Sequence, residues 1–232
     1  MSILAANILF LVCLVQAMYF SLLKIGIVEA AYWFGPKKKI ELRNNVFVTP
    51  VLLIVFSIIH GSVNFGESYF FWELEFSKFF LLFILAAFWL SFLGSIGTLD
   101  LSLRLLPYSL TLPLTVAGII KGNLANADYL DTLFLTFILV LILFSRKVST
   151  RVNRGFGFGD IIFLLALSFW LNTLALAITV FFAAITMIII FAIFKKQFVW
   201  TRETMLPFGP ALSFFGIIVE FFWTSYPLLR TV

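Results

Sequence analysis

Residues 174–194 read Leu-Ala-Leu-Ala-Ile-Thr-Val-Phe-Phe-Ala-Ala-Ile-Thr-Met-Ile-Ile-Ile-Phe-Ala-Ile-Phe, and Lys195 and Lys196 end the run. A helix needs roughly 20 apolar residues to cross the hydrocarbon of a bilayer, whereas strands of an outer-membrane barrel alternate over about 10. This run is long and unbroken, so it is helical. The whole chain has the same character. Of its 232 residues 62% are hydrophobic and 12% charged, 31 are phenylalanine, and the mean hydropathy is +1.12. A water-soluble domain and a disordered chain are both excluded, since disorder requires low hydrophobicity and high charge.

Apolar runs between polar breaks predict helices at 3–32, 46–60, 78–99, 108–124, 130–145, 161–171, 174–194 and 208–223. The fold expected is an all-α, polytopic integral membrane helix bundle of about eight transmembrane helices. The short runs 46–60 and 161–171 make the range six to eight. The first run has no preceding basic residue and no small-residue cleavage site, so it reads as an anchored helix and not a signal peptide. No connection is long enough for a soluble domain, and residues 1–232 read as one membrane domain. Cys13, the only cysteine, has no partner for an intrachain disulfide and reads as a packing residue.

Cytoplasmic loops retain Lys and Arg. With eight spans and an outer N-terminus, twelve of the sixteen basic residues fall on the inner side: Lys37, Lys38, Lys39, Arg43, Arg104, Arg146, Lys147, Arg151, Arg154, Lys195, Lys196 and Arg202. The net charge of +5 is then a property of one face, suited to orientation and to anionic lipid more than to nucleic acid. Trp33, Tyr69, Trp72, Tyr129, Trp200, Trp223 and Tyr226 fall near predicted span ends, as interfacial aromatics do.

An ionisable residue at the centre of a membrane helix costs roughly 2.5–3.5 kcal/mol on insertion scales, so each asks for a reason. Asp100 closes the third predicted span in Gly97-Thr98-Leu99-Asp100, and Asp160 opens the sixth in Gly155-Phe156-Gly157-Phe158-Gly159-Asp160. Two carboxylates held close share a proton, one acting as acid while the other activates water. Such a pair needs no metal, nucleotide or thiol. That suits a chain with one His, one Cys and no Walker-type Gly-Lys-Ser/Thr sequence, and no cofactor or metal is expected. The bland alternative is a turn with Asp160 capping a helix start. Glu29 and Glu220 read as cavity lining, partners for a base, or interfacial groups. His60, at the far end of the second span, reads as packing.

Leu99-Asp100-Leu101-Ser102-Leu103-Arg104-Leu105-Leu106-Pro107, followed by Leu110-Thr111-Leu112-Pro113-Leu114, resembles the first catalytic segment of the type IV prepilin peptidases. Gly157-Phe158-Gly159-Asp160 with Trp170 resembles their second, and Leu206-Pro207-Phe208-Gly209-Pro210 resembles the stretch before their last helix. These motifs fall in family order over about residues 94–216; residues 1–77 match less well. The resemblance implies a GxGD membrane aspartic endopeptidase that cuts the basic leader from type IV prepilin or pseudopilin precursors, after a glycine and just before the precursor's apolar helix. It implies catalytic roles for Asp100 and Asp160 and supporting roles for Gly157, Gly159, Pro207, Phe208, Gly209 and Pro210. It also implies a bacterial cytoplasmic membrane, with the site facing the cytoplasm.

Two departures stand out: Tyr108 where the family usually has Asp, and Ile162 where it usually has Lys. The cytoplasmic loop with two Cys-x-x-Cys pairs, which accompanies N-methylation in many members, has no counterpart between Trp33 and Asn45. A peptidase-only short form is expected. The alternatives are another GxGD protease, of presenilin-like or signal-peptide-peptidase-like type, and a non-enzymatic scaffold or transporter.

Overall fold

A computed structural model describes residues 3–34, 48–64, 76–103, 106–124, 130–149, 158–194 and 208–225. Among these residues there are eight helices and no strand: α1 (Ile3–Phe34), α2 (Val48–Asn64), α3 (Phe76–Leu103), α4 (Tyr108–Leu124), α5 (Leu130–Ser149), α6 (Phe158–Ser168), α7 (Thr173–Phe194) and α8 (Gly209–Ser225). Each predicted helix is present. Three are long and apolar enough to cross a membrane, over Ala5–Trp33, Phe83–Leu103 and Thr173–Ile190. The eleven residues of α6 make a rod of only about 16 Å, half the hydrocarbon thickness. Its chain turns back at Phe169–Asn172, where Asn172 Oδ1 accepts the Ala175 N–H at 2.8 Å and caps α7.

The centre of the bundle is α3. Apolar residues lie all round it, and its membrane-capable span is 72% buried against 22% for those of α1 and α7. It packs against α1, α2, α4 and α8, while α7 lies on α8. Lipid gives no hydrophobic drive between helices, so close packing and interhelical hydrogen bonds must hold them. Ser91 Oγ donates to the Val15 carbonyl (3.1 Å) and Ser95 Oγ to that of Tyr19 (3.3 Å). The Tyr19 hydroxyl and Thr98 Oγ1 lie 3.2 Å apart, and Thr98 Oγ1 donates to Thr49 Oγ1 of α2 at 2.9 Å.

The outer surface is apolar, with Phe134, Phe137, Phe181, Phe182 and Ile188 all exposed. This is the surface a bilayer solvates, and it accounts for much of the phenylalanine. Cys13 is a correction to the sequence reading: it is exposed on the outside of α1 and is not a packing residue of the bundle. Trp33 is exposed at the end of α1, as an interfacial aromatic would be. Tyr69, Trp72, Tyr129, Trp200 and Tyr226, and the side chains of His60 and Trp223, lie outside the described residues.

Candidate active site

Asp100 is buried and lies inside α3, which continues through Leu101, Ser102 and Leu103 beyond the boundary expected from sequence. Its carboxylate meets the start of α8. The Leu212 N–H donates to the Phe208 carbonyl at 3.1 Å, which makes Phe208 the cap and Gly209 the first residue of that helix. Pro210, second in the turn, has no N–H to leave unpaired. Gly209 donates its N–H to Asp100 Oδ2 at 2.8 Å, an orphan helix donor satisfied by an acidic side chain from another helix. Only glycine allows this approach. A Cβ at position 209 would lie 2.7 Å from Asp100 Oδ2, 3.1 Å from Asp100 Cβ and 3.0 Å from Leu106 Cδ2.

Leu106 joins this contact to the second aspartate segment. It is buried just before α4, and a Cβ at Gly159 would lie 3.0 Å from Leu106 Cβ. Gly159 is followed by Asp160 in the first turn of α6, which begins at Phe158; Asp160 is therefore a first-turn residue and not the cap. Thus Leu106, just before α4, packs against Gly159 of α6 and against Gly209 of α8, whose amide bonds Asp100 of α3. Phe208 packs on the core, and the Pro210 Cα lies close to Gly97 of α3. Gly157 and Pro207 lie outside the described residues.

Glu29, for which the sequence left three roles open, has a different one. Pro107 caps α4: its carbonyl accepts from Leu110 and Thr111, both at 3.1 Å. As a cap, proline supplies no side-chain acceptor, so the first N–H groups of α4 need a foreign one. Glu29 provides it from α1, accepting the Tyr108 N–H on Oε1 at 3.0 Å and the Ser109 N–H on Oε2 at 2.9 Å. This fixes the segment that carries Leu106. The sequence signal was a helix start with no Ser, Thr, Asp or Asn before it; the acceptor that caps it, 79 residues away, was not readable.

At the other end of α4, α6 and α8 lies a second polar cluster. Lys121 forms an ion pair with Glu220, donates to the Trp170 carbonyl at 3.2 Å, and stands 5.1 Å from the centroid of the Trp170 ring. Glu220 is thus a partner for a base. Trp170 Nε1 donates to the Leu114 carbonyl at 2.7 Å, and its ring stacks on Trp89. Among the described residues, no three His, Cys, Asp or Glu side chains gather in a way that could hold a metal.

These features define a helical membrane protein with a buried aspartate held by the N-terminus of another helix. Residues 85–193, a little under half of the chain, match the model of the type IV leader peptidase family, and the match supports that family. The match includes Asp100, Asp160 and Trp170 and excludes both Glu29 and Gly209. A "Prepilin leader peptidase/N-methyltransferase" of Legionella pneumophila is 34% identical over 155 residues, covering 62% of this chain and 51% of that protein. One of Burkholderia pseudomallei (strain 1026b) is 35% identical over 151 residues, covering 62% and 48%. The chain spans about half the length of these curated relatives. No solved structure matches it.

Proposed function

We propose that this chain is a prepilin peptidase: a multi-pass aspartic endopeptidase of a bacterial cytoplasmic membrane that removes the basic leader from type IV prepilin or pseudopilin precursors. The observation that supports the reading is the junction at Leu106, which packs against both Gly209, whose amide bonds the buried Asp100, and Gly159, the residue before Asp160. In this reaction one aspartate takes a proton from water, whose oxygen attacks the scissile carbonyl carbon. The other gives a proton to the departing amide nitrogen as the C–N bond breaks. Either aspartate fits either role. No cofactor takes part.

The α1–α2, α5–α6 and α7–α8 connections hold most of the basic residues, and they join helix ends on the side of Asp100 if all eight helices cross in alternation. That supports a site at the cytoplasmic face. Without the Cys-x-x-Cys loop, the product is the trimmed and unmethylated chain. Purified protein in lipid, given a type IV prepilin, should release a product whose N-terminus begins after a glycine by mass spectrometry, with no added methyl group when S-adenosylmethionine is present. Asp100→Asn and Asp160→Asn should each abolish cleavage while inserting normally. Normal processing by either variant would overturn the two-aspartate mechanism; cleavage of an ordinary transmembrane stub in place of prepilin would point to the other GxGD proteases.

A further inference from the structure

A cleft of about 240 Å³ runs between α2, α3 and α8, lined by Leu52 and Phe56, by Gly97 and Leu101, and by Ser213 and Phe214. It begins at Leu101 and Pro210, the neighbours of Asp100 and Gly209. It extends to Leu93 and Ile217, a length of about 12 Å or two helical turns. Leu52, Leu101 and Phe214 are exposed along it, so it opens sideways to where lipid would be.

Its one anomaly is polar. Ser57, Ser91 and Ser95 each bond back to the carbonyl four residues earlier, the usual resort of a hydroxyl inside a helix. Ser213 makes no such bond. It is 4% exposed, lines the cleft, and its Oγ has no hydrogen-bond partner. A buried hydroxyl without a partner is costly; Trp89 Nε1, Ser102 Oγ and Ser109 Oγ share that state, and of the four only Ser213 lines the cleft.

We propose that this cleft docks the first two turns of the precursor's apolar helix. The inference rests on the peptidase reading. A chain cut just before an apolar helix must present that helix beside the carboxylates, and this cleft starts there, is apolar, and is open to the membrane. A helix beginning at the cut also brings unpaired N–H groups into a medium with no water to satisfy them. Ser213 Oγ, two turns or less from Asp100, accepts one of them, acting as an N-cap from the enzyme's side.

The test compares KM for intact prepilin with that for a soluble peptide of the leader and the first few residues after the cut, using the full chain in lipid. Leu52→Trp and Phe214→Trp fill the cleft, and Phe134→Trp and Phe181→Trp place the same bulk on exposed faces elsewhere. The cleft variants should raise KM for prepilin about tenfold. Ser213→Ala should raise it about threefold to tenfold, by loss of one hydrogen bond. The control variants should leave it unchanged, and the peptide should be cut by all of them as by the native chain. An unchanged prepilin KM in both cleft variants overturns the proposal and leaves the cleft to lipid tails. An equal rise in the control variants, or an equal loss on the peptide, overturns it too. Failure of the native chain to cut any prepilin is a different result, for it removes the peptidase reading itself.

Discussion

Gly209 stands 109 residues from Asp100 in sequence, yet its amide holds Asp100 Oδ2 at 2.8 Å, and the contact leaves no room for a side chain. Gly209→Ala therefore displaces the carboxylate, because Pro210 behind it and the rest of α8 restrict its retreat. On the proposed reading of Asp100 as a reacting group, a misplacement of about 1 Å costs on the order of a hundredfold in rate, and kcat for prepilin should fall by about that factor. Leu106→Ala in the same chain removes the clash with Leu106 Cδ2 but not that with Asp100 Oδ2. The double variant should stay slow. Recovery of native kcat in it would show that Leu106, and not the carboxylate, is what Gly209 accommodates.

Glu29→Ala leaves two N–H groups at the start of α4 without their acceptor. Loss of a cap costs about 1 kcal/mol and at most about 2, so the Tm in detergent should drop by roughly 2–8 °C. Tyr108→Asp places a carboxylate in the same helical turn. Added to Glu29→Ala it should restore at least half of the lost Tm. If the double variant is no more stable than Glu29→Ala alone, the cap is not what Glu29 contributes.

Much of this architecture is legible in one dimension. The run ending at Lys195-Lys196 appears as α7, and Pro107 marks the start of α4, because apolar run length and proline are local signals. Two boundaries moved for local reasons as well. Leu101-Ser102-Leu103 carries α3 past Asp100, and Phe158-Gly159 opens α6 ahead of Asp160. What stayed hidden was pairing across the bundle. Glu29 with Tyr108, and Lys121 with Glu220, are brought together by packing that no single segment encodes. The motif around Gly209 was visible as a pattern, but its reason, an aspartate one Cβ away, needed the third dimension.

The Lys121–Glu220 pair should matter to stability and not to chemistry, since it lies at the opposite ends of the helices that gather at Leu106. Removing one member of a buried pair strands the other charge, at a cost of about 3 kcal/mol where one partner is a quarter exposed. Glu220→Ala should lower Tm by roughly 6–12 °C. Lys121→Met with Glu220→Leu replaces both charges by apolar groups and should return Tm to near the native value. At a temperature where all three chains are folded, prepilin should be processed at the same rate. A rate loss that persists in the stable double variant would tie this cluster to the reaction.

Lastly, the hydroxyls on α3 differ in what they specify. Every residue of α1 has a carbonyl, so Ser91 and Ser95 could find acceptors equally well if α1 slid by one turn, about 5.4 Å. Tyr19 removes that ambiguity. Its phenol meets Thr98, and Thr98 meets Thr49, at only one vertical setting of α1, α3 and α2. The same setting brings Glu29, nearly three turns further along α1, level with the first amides of α4. A tyrosine in the depth of the bundle thus acts as the detent that keeps a sliding rod at the notch where the far end of the machine closes.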